Sequence, residues 1–71
     1  MYIVVNNKNE VLSGFDQHSG YPEFEEVGDS GTNVNIFFTE FDAVMDANMC
    51  IREWNMNVRV IPISELPNLK K

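Results

Sequence analysis

The sequence predicts a small α+β domain: a sheet of about four antiparallel or mixed strands with one amphipathic helix packed on one face, in the order β-β-β-α-β. Three observations carry this. Short β-branched and aromatic runs sit near both ends, at residues 2–5 and 58–63. One stretch, residues 40–54, spaces its apolar residues at helical intervals. Clusters of Asn, Gly and Pro punctuate the rest. The chain has 71 residues, 44% of them apolar, which fits one folded domain spanning residues 1–71. A domain of this size buries only about 60% of its unfolded surface and has little stability to spare.

Each element has a local reason. Tyr2, Ile3, Val4 and Val5 read as a first strand. Asn6, Asn7, Lys8 and Asn9 read as a turn, because asparagine tolerates left-handed backbone angles and bonds its own main chain. Residues 10–15 return as the second strand of a hairpin. Residues 16–33 hold Gly20, Gly28 and Gly31 together with Pro22, too long a span for a structureless loop. Either this loop is functional or residues 23–27 form an edge strand within it. Residues 33–38 (NVNIFF) are expected to form a further strand. Thr39 is the expected N-cap of the helix, with Glu40 and Asp42 in its first turn, where negative charge suits the helix dipole. Phe41, Val44, Ala47, Ile51 and Trp54 share one face at 100° per residue and form the expected core stripe, with Trp54 as a core plug. Asn55, Met56 and Asn57 end the helix, and residues 58–63 form the last strand. A right-handed crossover is expected to join the strand at 33–38 to this last one and to place the helix on one sheet face. Ile3, Val5, Phe37, Ile61 and Ile63 cannot all face that helix, so the long loop or a second subunit is expected to cover the other face.

Charge is the strongest functional signal. Residues 9–51 contain no lysine or arginine, yet carry Glu10, Asp16, Glu23, Glu25, Glu26, Asp29, Glu40, Asp42 and Asp46. The formal net charge is −6. A continuous negative field repels nucleic acid and attracts basic partners. Two patches are candidate partner-binding sites. In the first, Tyr21 and Phe24 anchor while Glu23, Glu25, Glu26 and Asp29 steer toward lysine and arginine. The bland reading is a solvated edge strand whose charges block aggregation. The second is the helix face Asp42, Asp46, Met49 and Glu53. Asp42 and Asp46 are like charges one turn apart, a cost of a few tenths of a kcal/mol that a partner contact would explain. An ordinary wet helix face is the favoured reading, since such a cost is small beside total stability. Carboxylates one helical turn apart are spaced about 5–6 Å, near the roughly 7 Å phosphate repeat of one DNA strand. That spacing suits a nucleic-acid mimic; an acidic surface kept for solubility has the same composition.

Other chemistry finds little support. His18 is the single histidine and Cys50 the single cysteine, so no zinc set exists, and no calcium-loop pattern is present. His18 reads as an exposed loop residue, and Cys50 as a small hydrophobe beside the core stripe. A carboxylate-only magnesium site would be nonspecific. Residues 28–31 (GDSG) match no phosphate-binding motif. No catalytic residues, metal or cofactor are predicted, and an enzyme is disfavoured. One cysteine fits a reducing compartment. No apolar run nears the roughly 20 residues of a membrane span, and residues 1–5 lack the features of a signal peptide, so a cytoplasmic protein without membrane contact is expected.

The opening MYIVVN with Glu10, Val11 and Leu12, the helix start FTEFDA at 38–43 and the closing VRVIPI at 58–63 together resemble small accessory proteins of tailed bacteriophages. The resemblance covers about a third of the chain and transfers no site residues. It implies a protein that binds and inhibits a host factor, as anti-restriction and anti-CRISPR inhibitors do. The leading expectation is therefore an acidic, non-enzymatic inhibitor that occupies the basic surface of a host nucleic-acid-handling complex without touching nucleic acid directly. The alternative is a homo-oligomeric accessory module, a homodimer in its simplest form, that binds or sequesters a small ligand between subunits.

Overall fold

The computed structural model describes residues 1–27 and 34–70. Its elements are β1 (Tyr2–Asn6), β2 (Val11–Phe15), β3 (Pro22–Glu25), α1 (Glu40–Trp54), β4 (Val58–Pro62) and a closing 3₁₀-helix (Ile63–Lys70). The four strands form one sheet in the order β3-β2-β1-β4, with every pair antiparallel. The α+β class, with a four-stranded sheet and one helix, is that expected from the sequence; the third strand is Pro22–Glu25, not the one expected at 33–38.

The two hairpin turns are built by side chains. Asn6 Oδ1 accepts from the main-chain N–H groups of Lys8 and Glu10, both at 2.9 Å, and its amide donates to Glu10 Oε1 at 2.8 Å. Asn9 takes the left-handed conformation at φ 61°. Arg59 of β4 ties this turn down, donating to Asn6 O at 3.3 Å and Asn9 Oδ1 at 3.1 Å. In the β2–β3 turn, Asp16 Oδ2 accepts from the Ser19 N–H at 2.8 Å, the Ser19 hydroxyl at 3.0 Å and the His18 N–H at 3.1 Å. Gly20 closes this turn at φ 77°, where a Cβ would be strained. The first part of the span that looked too long for a loop is therefore a hairpin, and the edge strand suspected within it is present at Pro22–Glu25; residues 28–33 lie outside the described residues. The strand begins at the buried Pro22, a first-strand position that needs no ladder N–H. A bulge between Leu12 and Gly14 adds Ser13 to β2. It breaks the alternation, so that Leu12 and Phe15 both pack into the helix-side core.

The strand expected at 33–38 is not one. Residue 33 lies outside the described residues. Val34 to Phe38 make one isolated bridge, Phe37 with Tyr2, in which each N–H donates to the other's carbonyl at 2.8 Å. Asn35 adds a single bond to the Leu12 carbonyl. β1 and β2 share only the Val5–Val11 pair, and this segment bonds to both strands beyond it. The Phe37 bridge and β4 both run antiparallel to β1, so the chain passes from one to the other through α1, which packs on one sheet face as expected.

Two apolar layers flank the sheet. On the helix side Val4, Leu12, Ala43 and Ala47 are buried among Tyr2, Phe15, Phe24, Phe37, Val58 and Val60. On the other side Ile3, Val5 and Val11 are buried under Val27, Val34, Ile61, Ile63 and Leu66. The second face, which the sequence left to a loop or a subunit, is covered within the chain by the loop flanks and the 3₁₀-helix.

The helix stripe differs from expectation. The buried residues of α1 are Ala43, Ala47 and Cys50. Phe41 is 70% exposed, and Val44, Ile51 and Trp54 are also exposed. The reason is steric. Val4 and Leu12 already supply bulk from the sheet, so small residues let the helix backbone come close at full packing density. Thr39 caps the helix, its Oγ1 accepting from the Asp42 N–H at 3.2 Å. Asn55 ends it in the left-handed conformation at φ 54°.

Candidate functional site

The first predicted patch lies on β3, at the sheet edge. Phe24 turns into the helix-side core, half-buried, so it is not an exposed anchor. Strand alternation then sends Glu23 and Glu25 outward, and both are exposed, as is Glu26. Tyr21 is 47% exposed and meets Trp54 edge-on, with ring centroids 5.0 Å apart. Trp54 is thus a surface partner of the hairpin instead of a core plug. Asp29 lies outside the described residues. Among the described residues of the strip, Glu23, Glu25, Glu26 and Tyr21 are exposed and Phe24 is half-buried.

An open groove of about 860 Å³ runs beside this edge, lined by Tyr21, Glu23 and Glu25, by the Asn6–Lys8 turn and by Asn55, Met56 and Asn57. Residue spacing gave no sign of it. Only the folded chain brings the Asn6–Lys8 turn and the Asn55–Asn57 turn to one groove.

The second predicted patch lies along one flank of α1. Asp42 and Glu53 are exposed, while Asp46 and Met49 are half-buried. Partial burial pushes the Asp46 carboxyl above its ordinary value, and the charge of Asp42 one turn earlier adds to this. Burial, followed by the nearby Asp46 charge, likewise pushes the Cys50 thiol up. Cys50 is fully buried and held as the neutral thiol, a poor nucleophile. His18 is exposed in the β2–β3 turn. Among the described residues no three His, Cys, Asp or Glu side chains are placed to hold a metal ion, and no helix is long and apolar enough to cross a membrane.

A third surface was missed. On the opposite flank of α1 lie Phe41, Val44, Met45 and Ile51, with exposures of 70, 37, 55 and 44%. Phe38, just before the N-cap, is 80% exposed. The signal was present, since apolar residues occupy more of the helix circumference than one stripe can use. Only the two alanines and the cysteine marked which part the sheet would take.

The chain matches no protein-family model, no curated protein and no solved structure.

Proposed function

We propose that this chain is a non-enzymatic binding protein that inhibits a host nucleic-acid-handling complex, of the anti-restriction or anti-CRISPR kind, by occupying a basic surface on it. One observation carries the reading: across residues 9–51, which lack any cation, Glu23, Glu25, Glu26, Glu40 and Asp42 all stand exposed on the fold. Carboxylates held on an ordered edge strand and an ordered helix present a fixed charge pattern, and such patterns steer association with a cationic surface. Tyr21 adds an aromatic contact beside Glu23. Affinity purification from a host lysate tests this, with Glu23→Lys/Glu25→Lys/Glu26→Lys as control. The parent should retain one nucleic-acid-binding complex that the control loses. Identical recovery by both would overturn the reading.

The second reading is a homo-oligomeric module with a small ligand held between subunits. Its original motive, a bare second sheet face, is gone, because the chain covers that face itself. The open groove and the exposed apolar flank of α1 are what now favour it.

A further inference from the structure

We infer that the apolar flank of α1 is a self-association surface, and that its occupant is the same flank of a second copy of this chain. The inference deepens the homo-oligomeric reading by naming its contact surface, and does not depend on the acidic-inhibitor one.

At 100° per residue, Phe41, Val44, Asn48 and Ile51 cluster roughly 110° from the buried Ala43, Ala47 and Cys50, with Met45 at the strip's edge. Their spacing of three, four and three residues is the a/d spacing by which two helices pack side by side. Asp42, Asp46 and Glu53 lie on the other flank, roughly 160° away. The strip itself is bordered by one acid, Glu40, and one base, Arg52. It is therefore close to neutral on a chain of net charge −6.

That neutrality selects the occupant. A cationic partner gains most where carboxylates surround the contact, and here they do not. A second acidic chain can approach closely only through a face that keeps its carboxylates apart, and this flank does so. The area agrees. The four apolar helix side chains expose roughly 400 Å², most of the apolar area that a homodimer contact needs. A standard interface buries about 800 Å² per partner, roughly 65% of it apolar in homodimers, so about 500 Å² is required. Asn48 is the one polar member of the strip. Near a two-fold axis it meets its own symmetry copy, and each amide can bond the other, a known device for fixing register.

Sedimentation equilibrium of the full chain over a concentration series tests this. The mass should rise from 8.2 kDa toward twice that value. Phe41→Asp/Met45→Asp should stay monomeric throughout, with the parent's circular dichroism and melting temperature, because both side chains already face solvent in the single chain. A parent that remains monomeric overturns the inference, and so does a variant that dimerises as the parent does. Should that variant not fold, Asn48→Cys replaces it: mild oxidation should give a disulfide-linked dimer well above the level formed by Lys8→Cys. Equal, low crosslinking of the two overturns the inference. A monomer that captures another protein through this strip overturns it as well. Glu23→Lys/Glu25→Lys/Glu26→Lys should dimerise like the parent, so loss of partner capture and loss of the dimer are read separately.

Discussion

Two aspartates respond to pH in opposite senses, and each sense follows from what surrounds the carboxyl. Asp16 is held below the ordinary value of 3.8 by hydrogen bonds from the backbone and hydroxyl of Ser19 and from the backbone of His18. A depressed carboxyl contributes stability that is present above that ordinary value and lost as pH falls through the folded one. Hydrogen exchange at Ser19 and Gly20 should therefore quicken in strong acid while the helix amides remain protected. Asp46 is raised above 3.8, by partial burial first and Asp42 second. The fold bears the cost of its charge above the folded value, and that cost fades as pH falls toward 3.8. Asp46→Asn should raise stability at neutral pH by a few tenths of a kcal/mol, the scale of a like-charge pair one turn apart. It should also flatten the dependence between pH 7 and mild acid in urea titrations. A loss of stability at pH 7 would mean that Asp46 has a favourable partner. Cys50 gives a companion expectation: thiol reagents should label it only as fast as the chain unfolds, because it is fully buried.

At the scale of elements, the helix depends on its cap and the sheet on its second cover. Thr39→Ala removes the acceptor for the Asp42 N–H and should cost about 1 kcal/mol, or roughly 4–8 °C in melting temperature for a domain of this size. Thr39→Ser should retain most of that stability, since it keeps the oxygen. Leu66 of the 3₁₀-helix packs over Ile3, Val5 and Val11. Leu66→Ala should cost about 1–2 kcal/mol, less than for a fully buried leucine, and should increase binding of an apolar dye. Elements with a local cause were legible from the residues: the Asn6–Asn9 turn with the two strands it joins, the Thr39 cap, the Asn55 stop and the β-branched last strand. The edge strand at Pro22–Glu25 was legible only as one of two options, because its partner lies across a turn that Asp16 closes. What failed was non-local. NVNIFF has every strand propensity, but Val34 to Phe38 lies in the gap beyond the single Val5–Val11 pair and bonds β1 only through Phe37 and β2 only through Asn35. The helix stripe failed for a related reason. Periodicity finds apolar faces, whereas the partner surface chooses between them, and a sheet bearing Val4 and Leu12 chose alanines. The same choice turned the largest apolar side chains of α1 outward and created a surface that the charge argument had not sought.

For the whole molecule, the net charge of −6 sets the sign of every encounter. Two copies repel until their neutral helix flanks meet, whereas a cationic partner is attracted from a distance. Added salt screens both fields, with a Debye length of about 10 Å at 0.1 M falling to about 3 Å at 1 M. The two interactions must then respond to salt with opposite signs. Self-association through Phe41, Val44, Met45 and Ile51 should tighten as salt rises, because repulsion is removed while apolar burial is kept. Capture of a basic partner should weaken over the same range, mostly through slower association. Glu23→Gln/Glu25→Gln/Glu26→Gln should slow partner association at low salt and approach the parent at high salt, leaving dissociation nearly unchanged. Sedimentation and surface-binding kinetics on one salt series read both effects. Partner binding indifferent to salt would remove electrostatic steering as the mechanism. A dimer that dissociates as salt rises would mean that charge pairs, not the apolar strip, hold the copies together. With both signs as expected, a dimer would carry two sets of carboxylates on surfaces away from its own contact. Two such sets can engage two cationic sites at once, and avidity would then exceed the affinity of one chain without any new contact.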